Sequence, residues 1–125
     1  MGFAIAVEND VVRVTMSGVL TRDALVALAA AAEQADDGSG RVLSRIADMR
    51  GVTEFKTSFA QVGVIAAART TVHYPNAFRT AILVSSRAQA GIAHMYRTLN
   101  DNPSVTIEVF EDEATALRSL RSPAG

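Results

Sequence analysis

The residues best suited to chemistry lie in one short segment, residues 46–59. An apolar run ends there at Asp48, a polar stretch follows, and Lys56, Thr57 and Ser58 precede a helical pattern. Loops at the carboxyl ends of parallel strands form the ligand crevice of open α/β sheets. We therefore expect these four side chains to form one binding or interaction site.

Each of these side chains has a functional and a structural explanation. Asp48 is suited to act as a general base, a metal ligand or a phosphate relay, but aspartate also caps turns through nearby backbone N–H groups. Thr57 and Ser58 are suited to accept a phosphoryl group or to bind an anion at a helix N-terminus. Ser58 followed by Gln61 also matches a capping box, which explains the serine without a ligand.

The histidines give little support for catalysis or metal binding. His73 and His94 lie on different predicted elements, and the chain has no cysteine. A hydrolytic triad drawn from a serine, a histidine and Asp48 lacks the Gly-x-Ser-x-Gly pattern of a nucleophile elbow. No glycine-rich phosphate fingerprint follows a predicted strand. We expect no enzymatic activity, no bound metal and no cofactor.

Aromatic side chains are candidates for an apolar ligand pocket. They are Phe55, Phe59, Tyr74, Phe78 and Tyr96. Aromatic residues belong to the hydrophobic core more often than to a pocket, so both explanations stay open. If a pocket exists, we expect Phe55, Phe59, Tyr74 and Tyr96 to line it.

Composition narrows the functional classes. A chain of 125 residues with 49% hydrophobic content has the size and the apolar side chains of one domain over residues 1–125. A net charge of -1 gives no overall attraction to nucleic acid. The longest apolar run, residues 24–32, is far shorter than the roughly 20 residues of a membrane span, and the N-terminus lacks a signal-peptide pattern. We expect a cytoplasmic protein.

The spacing of apolar residues predicts the elements that position these side chains. Alternation predicts strands over residues 3–7, 12–17, 42–47, 80–84 and 105–109, and a helical pattern follows each strand except the first. Glu8-Asn9-Asp10 is a turn sequence, so the first two strands should form an antiparallel hairpin. Strands joined by helices prefer parallel crossovers. The prediction is an α/β fold with a mixed five-stranded sheet, mostly parallel after the hairpin, and about four helices.

Local signals also predict where helices begin and which strand lies at a sheet edge. Thr21, Ser58 and Ser86 are suited to cap helices, the last two with a glutamine three positions later. The strict alternation of residues 105–109 predicts a strand at or near the sheet edge. Exposed edges invite pairing, so a homodimer through this edge or through the alanine-rich helix is a hypothesis.

The chain resembles the SpoIIAA-like family, which is related to the bacterial anti-sigma-factor antagonists and to the STAS domain, over nearly its full length. Three passages in order carry the resemblance: residues 17–21, residues 47–53, and residues 93–97 together with residues 109–117. The resemblance implies a STAS-type fold and a regulatory or protein-interaction role rather than catalysis. The wider family also resembles lipid-binding domains, which implies a carrier or sensor of a small apolar ligand as the alternative.

The resemblance places a regulatory motif on Lys56, Thr57, Ser58 and Phe59. The antagonists carry Asp-Ser-Ser-Gly there, and the first serine is the phosphorylated one, which corresponds to Thr57. Lys56 replaces the acidic residue and Phe59 replaces the glycine. The resemblance therefore implies a regulatory module without an intact phosphorylation switch.

Overall fold

The computed structural model describes residues 2–35, 38–70 and 72–121, except for the side chain of Phe59. Five strands and four helices lie in these ranges. They are β1 (Phe3–Glu8), β2 (Val11–Thr21), α1 (Arg22–Gln34), β3 (Ser44–Lys56), α2 (Phe59–Thr70), β4 (Phe78–Leu83), α3 (Arg87–Leu99), β5 (Val105–Phe110) and α4 (Glu113–Leu120). No helix of the described residues is long and apolar enough to cross a membrane.

The strands form one sheet in the order β1-β2-β3-β4-β5. β1 and β2 pair antiparallel, and the other neighbouring pairs are parallel. Asn9 and Asp10 both have positive φ values, 49° and 65°, as the tight turn of a two-residue hairpin requires. The predicted mixed sheet with an N-terminal hairpin is confirmed, and β5 lies at an edge of the sheet as expected.

The expectation that the third strand ends at Asp48 is wrong. β3 continues to Lys56, and β2 continues past Gly18 to Thr21, so the two strands stay paired along their length. Two register shifts interrupt this pairing, one beside Met49 and one beside Thr53. Each shift places an extra residue in β3, which breaks the period of two that marks a strand in the sequence. The alternation of apolar residues in this part of β3 is therefore irregular, and the sequence predicted a polar loop instead of a strand.

The helices cover the two faces of the sheet unequally. α1, α2 and α3 pack over one face around a core that includes Val12, Val14, Met49 and Ile82. α4 alone packs on the other face, where a smaller core is formed by Ile46, Ala81, Leu83, Ala116 and Leu120. Successive side chains of β3 therefore point into different environments, with Arg45 and Ala47 towards α1–α3 and Ile46 and Asp48 towards α4.

The predicted helix starts are confirmed. The hydroxyl of Thr21 accepts the Ala24 N–H at 3.1 Å, and the hydroxyl of Ser86 accepts the Gln89 N–H at 3.2 Å. The Gln89 side chain departs from a simple capping box: its oxygen accepts the Ser85 N–H, and its amide donates to the carbonyls of Arg50 and Val52. This buried glutamine thereby joins the start of α3 to the extended part of β3.

Candidate functional site

The predicted contact residues Lys56, Thr57 and Ser58 lie where β3 ends and α2 begins. The Ser58 hydroxyl accepts the Gln61 N–H at 3.1 Å, and Gln61 Oε1 accepts the Ser58 N–H at 3.2 Å, which is the predicted capping box. Gln61 Oε1 also accepts the Thr57 hydroxyl at 2.8 Å. The hydroxyl groups of both residues therefore serve the start of α2, while Lys56 and Ser58 stay exposed.

Asp48 is not part of the same surface as Lys56. Their partners on β2, Thr15 and Thr21, lie six positions apart, so Asp48 and Lys56 are separated by about 20 Å. Asp48 is also buried, with 10% of its side chain exposed, and it faces α4 rather than the end of the sheet. The structure brings Lys56, Thr57 and Ser58 together and leaves Asp48 apart from them.

Asp48 belongs to an ion-pair cluster, which we call the Asp48 cluster, with Arg13, Arg50 and Glu113. Arg50 donates to both carboxylate oxygens of Asp48 from Nε and Nη2, each at 3.0 Å, and its backbone N–H donates to Oδ1 at 3.0 Å. Arg13 lies 3.5 Å from the same carboxylate. Glu113 Oε1 accepts from Arg13 at 2.8 Å and from Arg50 at 2.9 Å, which ties the start of α4 to the sheet.

The electrostatics of the Asp48 cluster favour a charged aspartate. Burial raises the pKa of the Asp48 carboxyl, but the hydrogen bonds from Arg50 and the positive charges of Arg50 and Arg13 outweigh burial and lower that pKa from its usual value. A hydrogen bond from Arg13 lowers the pKa of Glu113 as well. Two carboxylates thus balance two guanidinium groups, and the arrangement holds β2, β3 and α4 together.

A cavity of about 140 Å³ lies on the other face of the sheet, between β2–β5 and helices α1–α3. Most of its lining is apolar, with contributions from Val14, Met49, Ile82, Ile92 and Val105. An engineered apolar cavity of about 150 Å³ binds benzene, so a space of this size accepts a small ring or a short chain.

A second ion-pair cluster, which we call the Glu33 cluster, lies at one end of this cavity. Glu33 Oε1 accepts from Arg69 at 2.9 Å, from the Tyr74 hydroxyl at 2.7 Å and from Arg45 at 3.5 Å. Glu33 and Arg69 come from the last turns of α1 and α2, and Arg45 follows the first residue of β3. The cluster therefore sits at the amino ends of the parallel strands, opposite the end that carries Lys56 and Ser58.

Two aromatic residues shape this end of the cavity. The Arg45 guanidinium carbon lies 4.9 Å from the centre of the Phe78 ring, within the range of a cation–π contact. Tyr74 packs edge-on against the same ring, with centroids 4.8 Å apart. Burial and the hydrogen bond to the Glu33 carboxylate raise the pKa of Tyr74 to about 12. The tyrosine therefore stays protonated and keeps donating to Glu33 at neutral pH.

Among the residues that the structure describes, two of the four predicted pocket residues line the cavity. Tyr74 and Tyr96 line the cavity, together with Phe78. Phe55 packs against the main core but does not line the cavity, and the side chain of Phe59 lies outside the described part of the chain.

Three charged residues of the cavity, Glu33, Arg45 and Arg69, were not among the predicted site residues. Arg45 and Arg69 each carry a signal in the sequence. Arg45 interrupts the apolar pattern of the predicted strand over residues 42–47, and Arg69 lies seven positions after buried Val62 on α2. Charged residues at such inward positions are rare in a core unless they are paired, so they indicate a polar group within the packed layer.

The histidines do not join either cluster. His73 and His94 are both exposed. Among the described residues, no group of three or more histidine, aspartate or glutamate side chains is placed to hold a metal ion.

A comparison with solved structures identifies the fold. The chain is similar to the crystal structure of an uncharacterized protein of the DUF3478 family from Shewanella loihica PV-4, which has a SpoIIAA-like fold. The two sequences are 17% identical, the match covers 95% of this chain and 94% of that chain, and the TM-score is 0.60. No protein-family model matches the sequence, and no curated protein matches it. The likeness shows the fold, and a fold alone does not assign a function.

Proposed function

We propose that this chain, with its SpoIIAA-like fold, is a non-enzymatic regulatory module that binds a small, largely apolar ligand in the cavity between the sheet and helices α1–α3. The cavity is the observation that carries the proposal, because its mostly apolar lining borders space that protein atoms do not fill. An apolar ligand in this space removes part of that lining from water, which favours binding. A ligand of matching size therefore has a substantial driving force for binding.

A binding role fits the candidate residues better than catalysis does. Asp48, the strongest candidate for a general base, is held as a carboxylate by Arg13 and Arg50. Thr57 and Ser58 are engaged at the start of α2. Asp48 is therefore held in an ion-pair network, and the cavity offers space for a small molecule.

Methyl-resolved NMR spectroscopy tests the proposal, with toluene as the probe. We expect toluene to shift the methyl signals of Val14, Ile82 and Ile92, which line the cavity, and to raise the thermal midpoint of unfolding. The variant Ala29→Leu fills part of the cavity and should weaken toluene binding at least about tenfold.

The matched control for this experiment is Ala30→Leu. Ala30 is exposed on the same helix, so its leucine variant adds the same side chain without entering the cavity. Toluene binding should persist in this control. Absence of cavity-specific shifts in the unaltered protein, or equal binding by both leucine variants, would contradict a ligand site in this cavity.

We propose protein recognition through the Lys56–Ser58 region as a second candidate function. β2 and β3 extend as a two-stranded ribbon, in which residues 51–56 of β3 have no β4 partner among the described residues. This ribbon carries exposed Val19 and ends at exposed Lys56. Unpaired strand edges with exposed apolar residues favour contact with another chain.

Pull-down from native lysate tests this second candidate. A partner should be enriched by the unaltered protein and by the control variant Glu111→Lys, but not by a double variant with Lys56→Glu and Thr57→Glu. Sedimentation at micromolar concentration decides whether that partner is a second copy of the chain. Equal enrichment by the double variant would remove the Lys56–Ser58 surface from consideration.

A further inference from the structure

We propose that the ligand of this cavity is a small amphipathic carboxylate whose apolar part occupies the cavity and whose carboxylate binds Arg45. This inference rests on the proposed ligand-binding function and adds the chemical class of the ligand. Three observations carry it: the charge balance of the Glu33 cluster, the hydrogen bonding of Arg45, and the volume of the cavity.

The charge balance of the cavity favours an anion. The charged side chains among its described lining residues are Glu33, Arg45 and Arg69. One carboxylate therefore faces two guanidinium groups, and the Tyr74 hydroxyl that also contacts Glu33 is neutral. A single negative charge on the ligand would balance the cluster, and a partly buried position makes such pairing stronger than it is in water.

Arg45 has the hydrogen-bonding capacity for that charge. Its Nη1 contacts Glu33 at 3.5 Å, which is the longest of the three contacts to this carboxylate. Its Nε is buried and has no hydrogen-bond acceptor within the described part of the chain. A buried donor without an acceptor is costly, and a guanidinium group prefers to bind a carboxylate through two parallel hydrogen bonds. A ligand carboxylate at the Nη groups of Arg45 gives this guanidinium a second acceptor besides Glu33.

The volume of the cavity limits the size of the ligand. A value of about 140 Å³ is well below the roughly 300–1,000 Å³ of pockets for drug-sized molecules. Long acyl chains do not fit this space, whereas a single aromatic ring or a short hydrocarbon chain does. The face of Phe78, which already contacts the Arg45 guanidinium, keeps the charged group beside an aromatic wall.

Paired titrations with benzoate and benzyl alcohol test the inference by calorimetry or NMR spectroscopy. The two probes share one ring and differ in the charge of the attached group. We expect the unaltered protein to bind benzoate at least about tenfold more tightly than benzyl alcohol, as a charge-assisted hydrogen bond implies. Arg45→Gln should abolish this preference while leaving benzyl alcohol affinity nearly unchanged.

A second variant, with the opposite expected effect on benzoate binding, makes the test independent of the Arg45 substitution. Glu33→Gln removes the negative charge and retains an oxygen that accepts from Tyr74, so it should tighten benzoate binding several-fold without improving benzyl alcohol binding. Arg97→Gln, on an exposed part of α3, matches the change in net charge of Arg45→Gln and should leave both affinities unchanged.

The outcomes separate this inference from the proposed function. Binding of benzyl alcohol without a preference for benzoate would overturn the carboxylate inference and leave the cavity as a site for neutral ligands. A benzoate preference that survives Arg45→Gln would overturn the role of Arg45. Failure of both probes and of toluene to bind would overturn the ligand site itself.

Discussion

The two faces of the sheet each carry a carboxylate that is held by two arginines, and they differ in what completes the cluster. On the α4 face, Asp48 shares Arg13 and Arg50 with a second carboxylate, Glu113, so the charges balance. On the α1–α3 face, Glu33 is the one carboxylate among the described residues that pairs with Arg45 and Arg69, beside a cavity.

The difference distinguishes a balanced cluster from a cluster with more positive than negative charge. A balanced network with its hydrogen bonds satisfied stabilises the packing of the elements that contribute to it. The Glu33 cluster has one carboxylate for two guanidinium groups among the described residues, and we propose that a ligand carboxylate completes it. The sequence drew attention to Asp48, whereas the proposed ligand site lies at Glu33 and Arg45.

The largest expected effect comes from breaking the balanced cluster with Asp48→Ala. Two arginines then lose a buried counter-charge, and we expect the free energy of unfolding to fall by about 3 kcal/mol. Urea denaturation monitored by circular dichroism measures the change. Glu113→Gln, at a more exposed position, should cost less than about 1 kcal/mol, and equal costs would show that burial does not set the strength of this cluster.

The matching substitution on the other face, Glu33→Ala, should cost about 2 kcal/mol. The cost is smaller because 24% of the Glu33 side chain is exposed, so water partly screens the two arginines that remain. The same denaturation experiment compares the two alanine variants directly. A larger loss for Glu33→Ala than for Asp48→Ala would reverse the assignment of the structural cluster.

A pH titration sharpens the comparison, because only the Glu33 cluster contains a tyrosine. The pKa of Tyr74 is raised from 10.0 to about 12 in the folded protein. Its stabilisation is therefore present below about pH 10 and is lost as the pH rises through about 12. Tyr74→Phe should cost about 1.5 kcal/mol at neutral pH and should flatten the alkaline loss of stability. An unchanged alkaline profile in this variant would contradict the Tyr74–Glu33 hydrogen bond.

The smallest effects are expected at the start of α2, which serves as a reference outside both clusters. Ser58→Ala removes the cap and should cost about 1 kcal/mol. Thr57→Ala should cost a few tenths of a kcal/mol, because the half-buried threonine loses one surface hydrogen bond that water can replace. Phosphopeptide mapping of the protein from its host should find no phosphate at Thr57. Stoichiometric phosphate there would show that Thr57 is a phosphorylation site, although Lys56 and Phe59 replace the residues that flank this position in the antagonists.

Local chemistry made part of this structure predictable. The hairpin at Asn9 and Asp10, and the caps at Thr21, Ser58 and Ser86, depend on residues only a few positions apart. The alternation of strands and helices follows from apolar spacing within each element. The predictions of these features are correct because the interactions that form them join residues that lie close together in the sequence.

The length of β3 was predicted wrongly for a physical reason. Two extra residues, beside Met49 and Thr53, interrupt its alternation. Such bulges are tolerated because β2 supplies a partner along the whole extension and Gln89 of α3 bonds the carbonyl of Val52. The support for the strand therefore comes from elements far from it in sequence, and the pattern of β3 alone does not contain it.

The sequence by itself determined the order of the elements, the mixed sheet and the helix caps, since each depends on short-range preferences. The tertiary structure decided which charged residues meet. Arg13 reaches Glu113 across one hundred positions, and Glu33 meets Tyr74 across 41. Such encounters depend on how helices pack over the sheet, because burial and charge pairing act between neighbours in space. For the same reason, only the packed structure showed that a cavity lies beside Arg45.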